Sequence, residues 1–206
     1  MTKQLDKPIV IGTPVEIESA VDLIRQDLSA LTYIDKPFFI AQKFLERKNN
    51  KTFYFPETYA PTKQGEFEYH RLTPDDSIKG MFFFLVGNGT PGSFDAQSEN
   101  FMKYPVSIIF SVNLKKIDLV KLNNGLFTQE LIRDARRILA NAKYNHEFSY
   151  ELINETRDLQ ECFKEFVWDD IEAYNRAPMQ CFRFNLSVTI QEDCIIDEAT
   201  GWDVMS

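Results

Sequence analysis

Phe182-Arg183-Phe184-Asn185-Leu186-Ser187-Val188-Thr189-Ile190-Gln191 alternates apolar and polar residues without a break. Side chains along a strand point to opposite faces in turn, so this stretch has one wholly apolar face and one polar face. It is a long strand lying with one side on a core. Pro105 to Asn113 has a related style, with Val106, Ile108, Phe110 and Val112 set against Ser107, Ile109, Ser111 and Asn113. Gly80-Met81-Phe82-Phe83-Phe84-Leu85-Val86 is apolar at both parities, which fits a strand covered on both sides. A sheet is therefore the centre of the fold, and the 18 phenylalanines agree with that.

Around these strands, other segments repeat apolar residues at helical spacing. Thr13-Pro14-Val15-Glu16 supplies an N-cap, a proline for the first turn and a glutamate three residues after the cap. Ile17, Ala20, Val21, Ile24, Leu28 and Leu31 follow on one stripe, predicting a helix over 14–31. Leu131, Ile132, Ala135, Ile138 and Leu139 predict a second over 128–140. Leu159, Cys162, Phe163, Phe166 and Val167 predict a third over 157–168. Phe38–Arg47 and Thr52–Tyr59 flank Lys48-Asn49-Asn50-Lys51, whose asparagines tolerate the left-handed backbone of a tight turn. The stretch Lys43 to Lys51 reads as a solvated hairpin tip. Glu66–Leu72 and Phe148–Ile153 read as further strands.

The expected fold is α+β: a twisted antiparallel sheet with helices packed on one side and extended N- and C-terminal arms. A single domain spans 13–192, between an arm at 1–12 and an acidic tail at 193–206. One domain is the default for 206 residues. Residues 87–104 read as a long Gly/Ser/Asn-rich loop, mobile or ordered by a partner.

Composition excludes several classes of function. Lys and Arg number 23 against 31 Asp and Glu, a net charge of −8, and no basic cluster is of the kind that grips phosphates. Sequence-specific nucleic-acid binding is not expected, although passage of nucleic acid through a ring remains compatible with this charge. Cys162, Cys181 and Cys194 are too few for a disulfide framework, and reduced thiols in a cytoplasmic compartment are the simpler reading. No signal-peptide pattern opens the chain, and no apolar run approaches membrane-spanning length, so no membrane partner is expected.

Candidate chemistry is sparse. Gly87-Asn88-Gly89-Thr90-Pro91-Gly92 matches G-x-G-x-x-G after an apolar strand, and Asp118 lies beyond the next strand. The corresponding chemistry would be a pyrophosphate at a helix N-terminus. Residues 93–104 lack a helical apolar face, however, and nothing else alternates strand and helix as a doubly wound fold requires. His70 and His146 belong to no catalytic or zinc-binding spacing. The acidic pairs Asp75-Asp76, Asp169-Asp170 and Glu192-Asp193 read as solvated turn charges. Cys162 reads as a small core residue on a helical stripe. No catalytic residue, metal ligand or cofactor is therefore expected.

The ends carry more information. Glu192 to Ser206 holds five acids (Glu192, Asp193, Asp197, Glu198 and Asp203) and no Lys or Arg, yet it also holds Ile195, Ile196, Trp202 and Val204. A merely disordered tail holds fewer large apolar residues. Pro8, Ile9, Val10 and Ile11 form a comparable apolar stretch at the other end. These residues, with Ile195, Ile196 and Trp202, are the candidate interface.

The order of elements is an amphipathic helix, the hairpin Phe38–Tyr59, strands, a long loop, helix 128–140 and the closing strand Cys181–Glu192. That order resembles phage tail-terminator and tail-completion proteins and related neck ring proteins, over roughly residues 13–192. The resemblance implies a virion structural protein made in the host cytoplasm. It implies a homo-oligomeric ring, sixfold or twelvefold, that meets neighbouring portal, neck or tail proteins and lets DNA pass. It brings no catalytic residues. The extra helical segment near 157–168 and the longer ends depart from it. Two other classes are kept beside it: a non-viral scaffold or adaptor domain, which a stable monomer would favour, and an enzyme using the 87–92 loop, which dinucleotide binding would favour.

Overall fold

The structure is a computed structural model; it describes residues 16–61, 65–91, 101–142, 148–167 and 176–191. The first helix, α1 (Glu16–Leu28), buries Ile17, Ala20, Val21, Ile24 and Leu28, the stripe its spacing dictates. Thr13 and Pro14 lie outside the described residues, as do the arm 1–12 and the tail.

Strands β1 (Lys36–Ile40), β5 (Gly80–Val86), β7 (Phe101–Asn113), β9 (Met179–Gln191) and β8 (Ser149–Thr156) stand side by side in that order, and the short β6 (Thr90–Pro91) pairs with β7. β7 and β9 form the longest ladder, running from Phe101 opposite Gln191 to Asn113 opposite Met179. The sheet is mixed where an antiparallel one was expected: β1 runs parallel to β5. The connection from β1 to β5 is long, as a parallel pair requires, and it carries the strands β2, β3 and β4 described below. The other ladders are antiparallel.

The principal core lies on the face carrying Phe82, Phe84, Ile108, Phe110, Phe182, Phe184, Leu186 and Val188, and α1 and α4 (Thr128–Ala142) cover it. Phe110 and Phe182 stack there with centroids 4.5 Å apart. Two buried tyrosines tie α4 down. The Tyr33 hydroxyl donates to the Leu131 carbonyl at 2.7 Å, and that of Tyr150 donates to the Leu139 carbonyl at 2.5 Å. Burial raises both phenol pKa values, so both remain donors at neutral pH.

The opposite face is covered as well. β2 (Gln42–Lys48), β3 (Lys51–Pro61) and β4 (Phe67–Arg71) form a separate antiparallel sheet. A second core joins Phe53 and Leu72 of this region to Phe83, Ile109 and Cys181 of the main sheet and to Cys162, Phe163 and Phe166. The double coverage explains why β5 is apolar at both parities. It also corrects the reading of β9 as one-faced, because Cys181 and Arg183 on its second side are buried too.

Arg183 accounts for a second correction. The helix expected over 157–168 is only α5 (Leu159–Cys162). The Arg183 guanidinium donates to the Glu161 carbonyl at 3.2 Å and the Cys162 carbonyl at 3.3 Å. Those carbonyls would accept from residues 165 and 166 in a continuing helix. The Phe166 N–H instead reaches the Phe163 carbonyl, and Val167 forms a bridge with Tyr54. The apolar stripe still does its packing, with Cys162, Phe163 and Phe166 buried, but Val167 is exposed.

Two short helices were not foreseen, α2 (Leu114–Ile117) and α3 (Leu119–Asn123). The Asn113 and Asp118 side chains cap them, accepting from the Lys115 and Lys121 N–H groups. The loop expected over 87–104 is also shorter. Thr90 and Pro91 pair with Lys103 and Met102, and β7 already begins at Phe101. Residues 92–100 lie outside the described residues.

Candidate interaction surface

The hairpin β2–β3 is built by its turn. Asn49 and Asn50 sit at φ 50° and 59°, the left-handed pair that lets a two-residue connection follow the natural twist of the strands. Seven residue pairs then zip from Lys48–Lys51 to Gln42–Glu57. Among the described residues β2 has one neighbour, β3, and is the outer strand of its sheet. Every β2 residue except Glu46 is exposed. Phe44 and Leu45, adjacent and so on opposite faces, are 43% and 45% accessible. Thus β2 contributes no buried face.

The far end of the small sheet carries further exposed aromatic residues. Tyr59 packs on Tyr69 at 5.0 Å and on Phe67 at 5.4 Å between ring centroids, and both tyrosines are exposed. Gln42, Lys43, Phe44, Glu57 and Tyr69 line a shallow hollow of about 280 Å³. Arg71 braces the surface: it lies 3.9 Å over the Phe55 ring and bridges Glu46 at 2.9 Å and Glu57 at 3.6 Å. Lys43 covers the Tyr54 ring at 4.3 Å. Arg47, Lys48 and Lys51 remain exposed towards the tip. This hairpin carries four basic residues (Lys43, Arg47, Lys48 and Lys51) against two acids (Glu46 and Glu57) in a chain of net charge −8. The sequence reading took it for a solvated tip. The signal for a surface was the Phe44-Leu45 pair, apolar on both faces of one strand.

The candidate interface residues Pro8, Ile9, Val10, Ile11, Ile195, Ile196 and Trp202 lie outside the described residues. So do His146, Asp169-Asp170, Glu192-Asp193 and Cys194. The G-x-G segment forms an edge beside β7. The Gly87 N–H donates to the Pro105 carbonyl at 2.8 Å, and Thr90-Pro91 continue as strand where a phosphate-binding turn would open a helix. Asp118, the acid a ribose would need, caps α3. His70 lies half-buried in β4, its Nε2 3.2 Å from the Ala60 carbonyl. Asp75 shapes a turn by accepting from the Ser77 N–H at 2.8 Å, and hydrogen bonding by Ser77 lowers its pKa. Burial pushes the Cys162 thiol up to about 12 and raises Cys181 as well, which keeps both as thiols.

Among the described residues, no three of His, Cys, Asp and Glu come together as a metal cage, and no helix is long and apolar enough to cross a membrane. Compared with known proteins, the chain matches no family model, and no curated protein matches it.

Proposed function

We propose that this chain is a virion structural protein, one subunit of a homo-oligomeric ring at the neck or tail of a phage through which DNA passes. The observation that carries the reading is the arrangement of elements. α1 and α4 lie together on one face of a sheet whose closing strand is β9, and a projecting hairpin stands between the first helix and the rest of the sheet. This is the order on which the likeness to tail-terminator and neck ring proteins rests. The hairpin supplies an exposed surface for a neighbour, and the excess of carboxylates suits a wall past which DNA slides without sticking. In this reading the ends, residues 1–12 and 193–206, stitch adjacent subunits.

Native mass spectrometry of the full chain, with tagged protein followed into phage particles, tests the proposal. A mass series ending at one closed stoichiometry, together with incorporation into particles, is expected. A monomer at every concentration with no particle association overturns it.

A further inference from the structure

We propose that β2 pairs antiparallel with β2 of a second copy, centred on Phe44, so that the two small sheets join into one. The inference goes beyond the ring reading and does not need it, because a twofold contact joins copies in pairs whether or not they also close a ring.

The first argument is which main-chain groups β2 leaves free. The Tyr54 N–H donates to the Val167 carbonyl at 2.7 Å, and the Val167 N–H donates to the Tyr54 carbonyl at 3.0 Å. Both groups of Tyr54 are therefore turned away from β2. In an antiparallel ladder, opposite residues exchange both bonds or neither. Leu45, opposite Tyr54, thus has its N–H and C=O on the outer side of β2. Alternation puts those of Lys43 and Arg47 there too. Pro56, opposite Lys43, agrees: it has no N–H, and its carbonyl accepts from the Leu72 N–H at 2.8 Å. Among the described residues no strand takes these outer groups, and every β2 residue except Glu46 is exposed. An edge of this kind accepts another strand.

The second argument is that β2 matches its own edge. Outward-facing residues must oppose outward-facing residues, so Lys43, Leu45 and Arg47 meet only one another. Two antiparallel β2 edges then always centre on one residue opposite its own copy, which makes the contact twofold. A centre on Lys43, Glu46, Arg47 or Lys48 sets a charge against its own copy, and a centre on Leu45 sets Lys43 against Arg47. Like charges directly opposite are unfavourable. A centre on Gln42 runs the pairing onto Ala41, whose N–H already donates to the Phe84 carbonyl in the main sheet. Phe44 is the remaining centre. It sets Phe44 against Phe44, Lys43 against Leu45 and Gln42 against Glu46.

Side chains favour the same centre. Phe44 is 43% accessible and Leu45 45%, so both lose exposed apolar surface. Phe55 stands opposite Phe44 in the hairpin, so Phe55 and Phe44 of both copies form one aromatic row. On the other face the Lys43 stem lies along Leu45 of the second copy while its ammonium stays in water. Each chain has one β2, so the contact forms only between copies.

The test is native mass spectrometry of the full chain across a dilution series. Leu45→Pro removes an outer N–H and leaves the bonds between β2 and β3 untouched, a position where an edge strand tolerates proline. It should raise the concentration for half-association at least about tenfold, whereas Leu45→Thr, which keeps the N–H, should stay within a few-fold of the parent. Circular dichroism checks that each variant is folded. The register is read separately from Lys43→Cys, Phe44→Cys, Leu45→Cys and Glu46→Cys, each in a chain carrying Cys194→Ser and treated with diamide. Phe44→Cys should cross-link fastest, because a non-hydrogen-bonded pair brings its Cα atoms to about 4.5 Å, within disulfide reach. Faster cross-linking at any of the other three refutes the register. A parent that stays monomeric at every concentration refutes the pairing. A closed ring whose stoichiometry and midpoint survive Leu45→Pro refutes the pairing and keeps the ring. A dimer that Leu45→Pro dissociates, with no larger species, keeps the pairing and removes the ring.

Discussion

Glu165 is expected to hold the segment from α5 to Val167 in place, and replacing it tests the account of why the helix there stops. Its carboxylate meets Arg183 through two bonds of 2.7 Å. The Arg183 side chain is 4% accessible and that of Glu165 is 35%. The guanidinium also donates to Asn185 Oδ1 at 2.8 Å, to Ser107 Oγ at 2.7 Å and to the two carbonyls at the end of α5. Glu165→Ala removes the counter-charge and leaves a nearly buried cation. Breaking a fully buried pair costs roughly 3–5 kcal/mol, but the exposed side of Glu165 admits water, so about 2–3 kcal/mol is expected here. Glu165→Gln keeps an acceptor oxygen and should cost about 1 kcal/mol.

Urea denaturation at pH 7 followed by far-ultraviolet circular dichroism measures both changes. Hydrogen exchange should speed up at the Tyr54 and Val167 amides, which bond each other's carbonyls across the bridge that this segment makes. The pH dependence has a definite sign. Burial alone would raise the Glu165 pKa, but hydrogen bonding and charge from Arg183 hold it below the ordinary 4.5. A depressed folded value means that the contribution is full above the unfolded value. It is lost as the pH falls from there through the folded one. Glu165→Gln should flatten that part of the acid unfolding profile. Stability of Glu165→Ala within 0.5 kcal/mol of the parent, by the same urea measurement, would refute the argument.

Leu186 is buried in the principal core, whereas Ser187 points to the other face of β9. Leu186→Ala should therefore destabilise by about 2–5 kcal/mol and Ser187→Ala hardly at all, and equal melting points would contradict the register. A Cβ on Gly87 would sit 2.7 Å from the ring of Pro105, whereas one on Gly89 would meet the ends of Tyr104 and Met102 side chains. Gly87→Ala should cost about 1–3 kcal/mol and Gly89→Ala less, with cooperative urea unfolding kept in both; the reverse order would show that these glycines do not serve close packing on β7.

Patterns held by local forces were legible in the sequence. β9 alternates because one face is buried along its length, and α1 and α4 show their stripes because each packs on one surface. The stop after α5 was not legible. The stripe from Leu159 to Phe166 is periodic, and the group that takes its carbonyls, Arg183, lies in a strand far along the chain. The parallel pairing of β1 with β5 was hidden for the same reason, since it joins segments separated by the entire small sheet. The acidic and apolar composition of residues 192–206 led to an expected interface there, and those residues lie outside the described ones. On its own, Lys43-Phe44-Leu45-Glu46-Arg47-Lys48 is an ordinary solvated strand, and its lysines are an ordinary guard for an edge. It stands out as a surface only once β2 is placed as the outer strand of its sheet among the described residues, exposed on both faces.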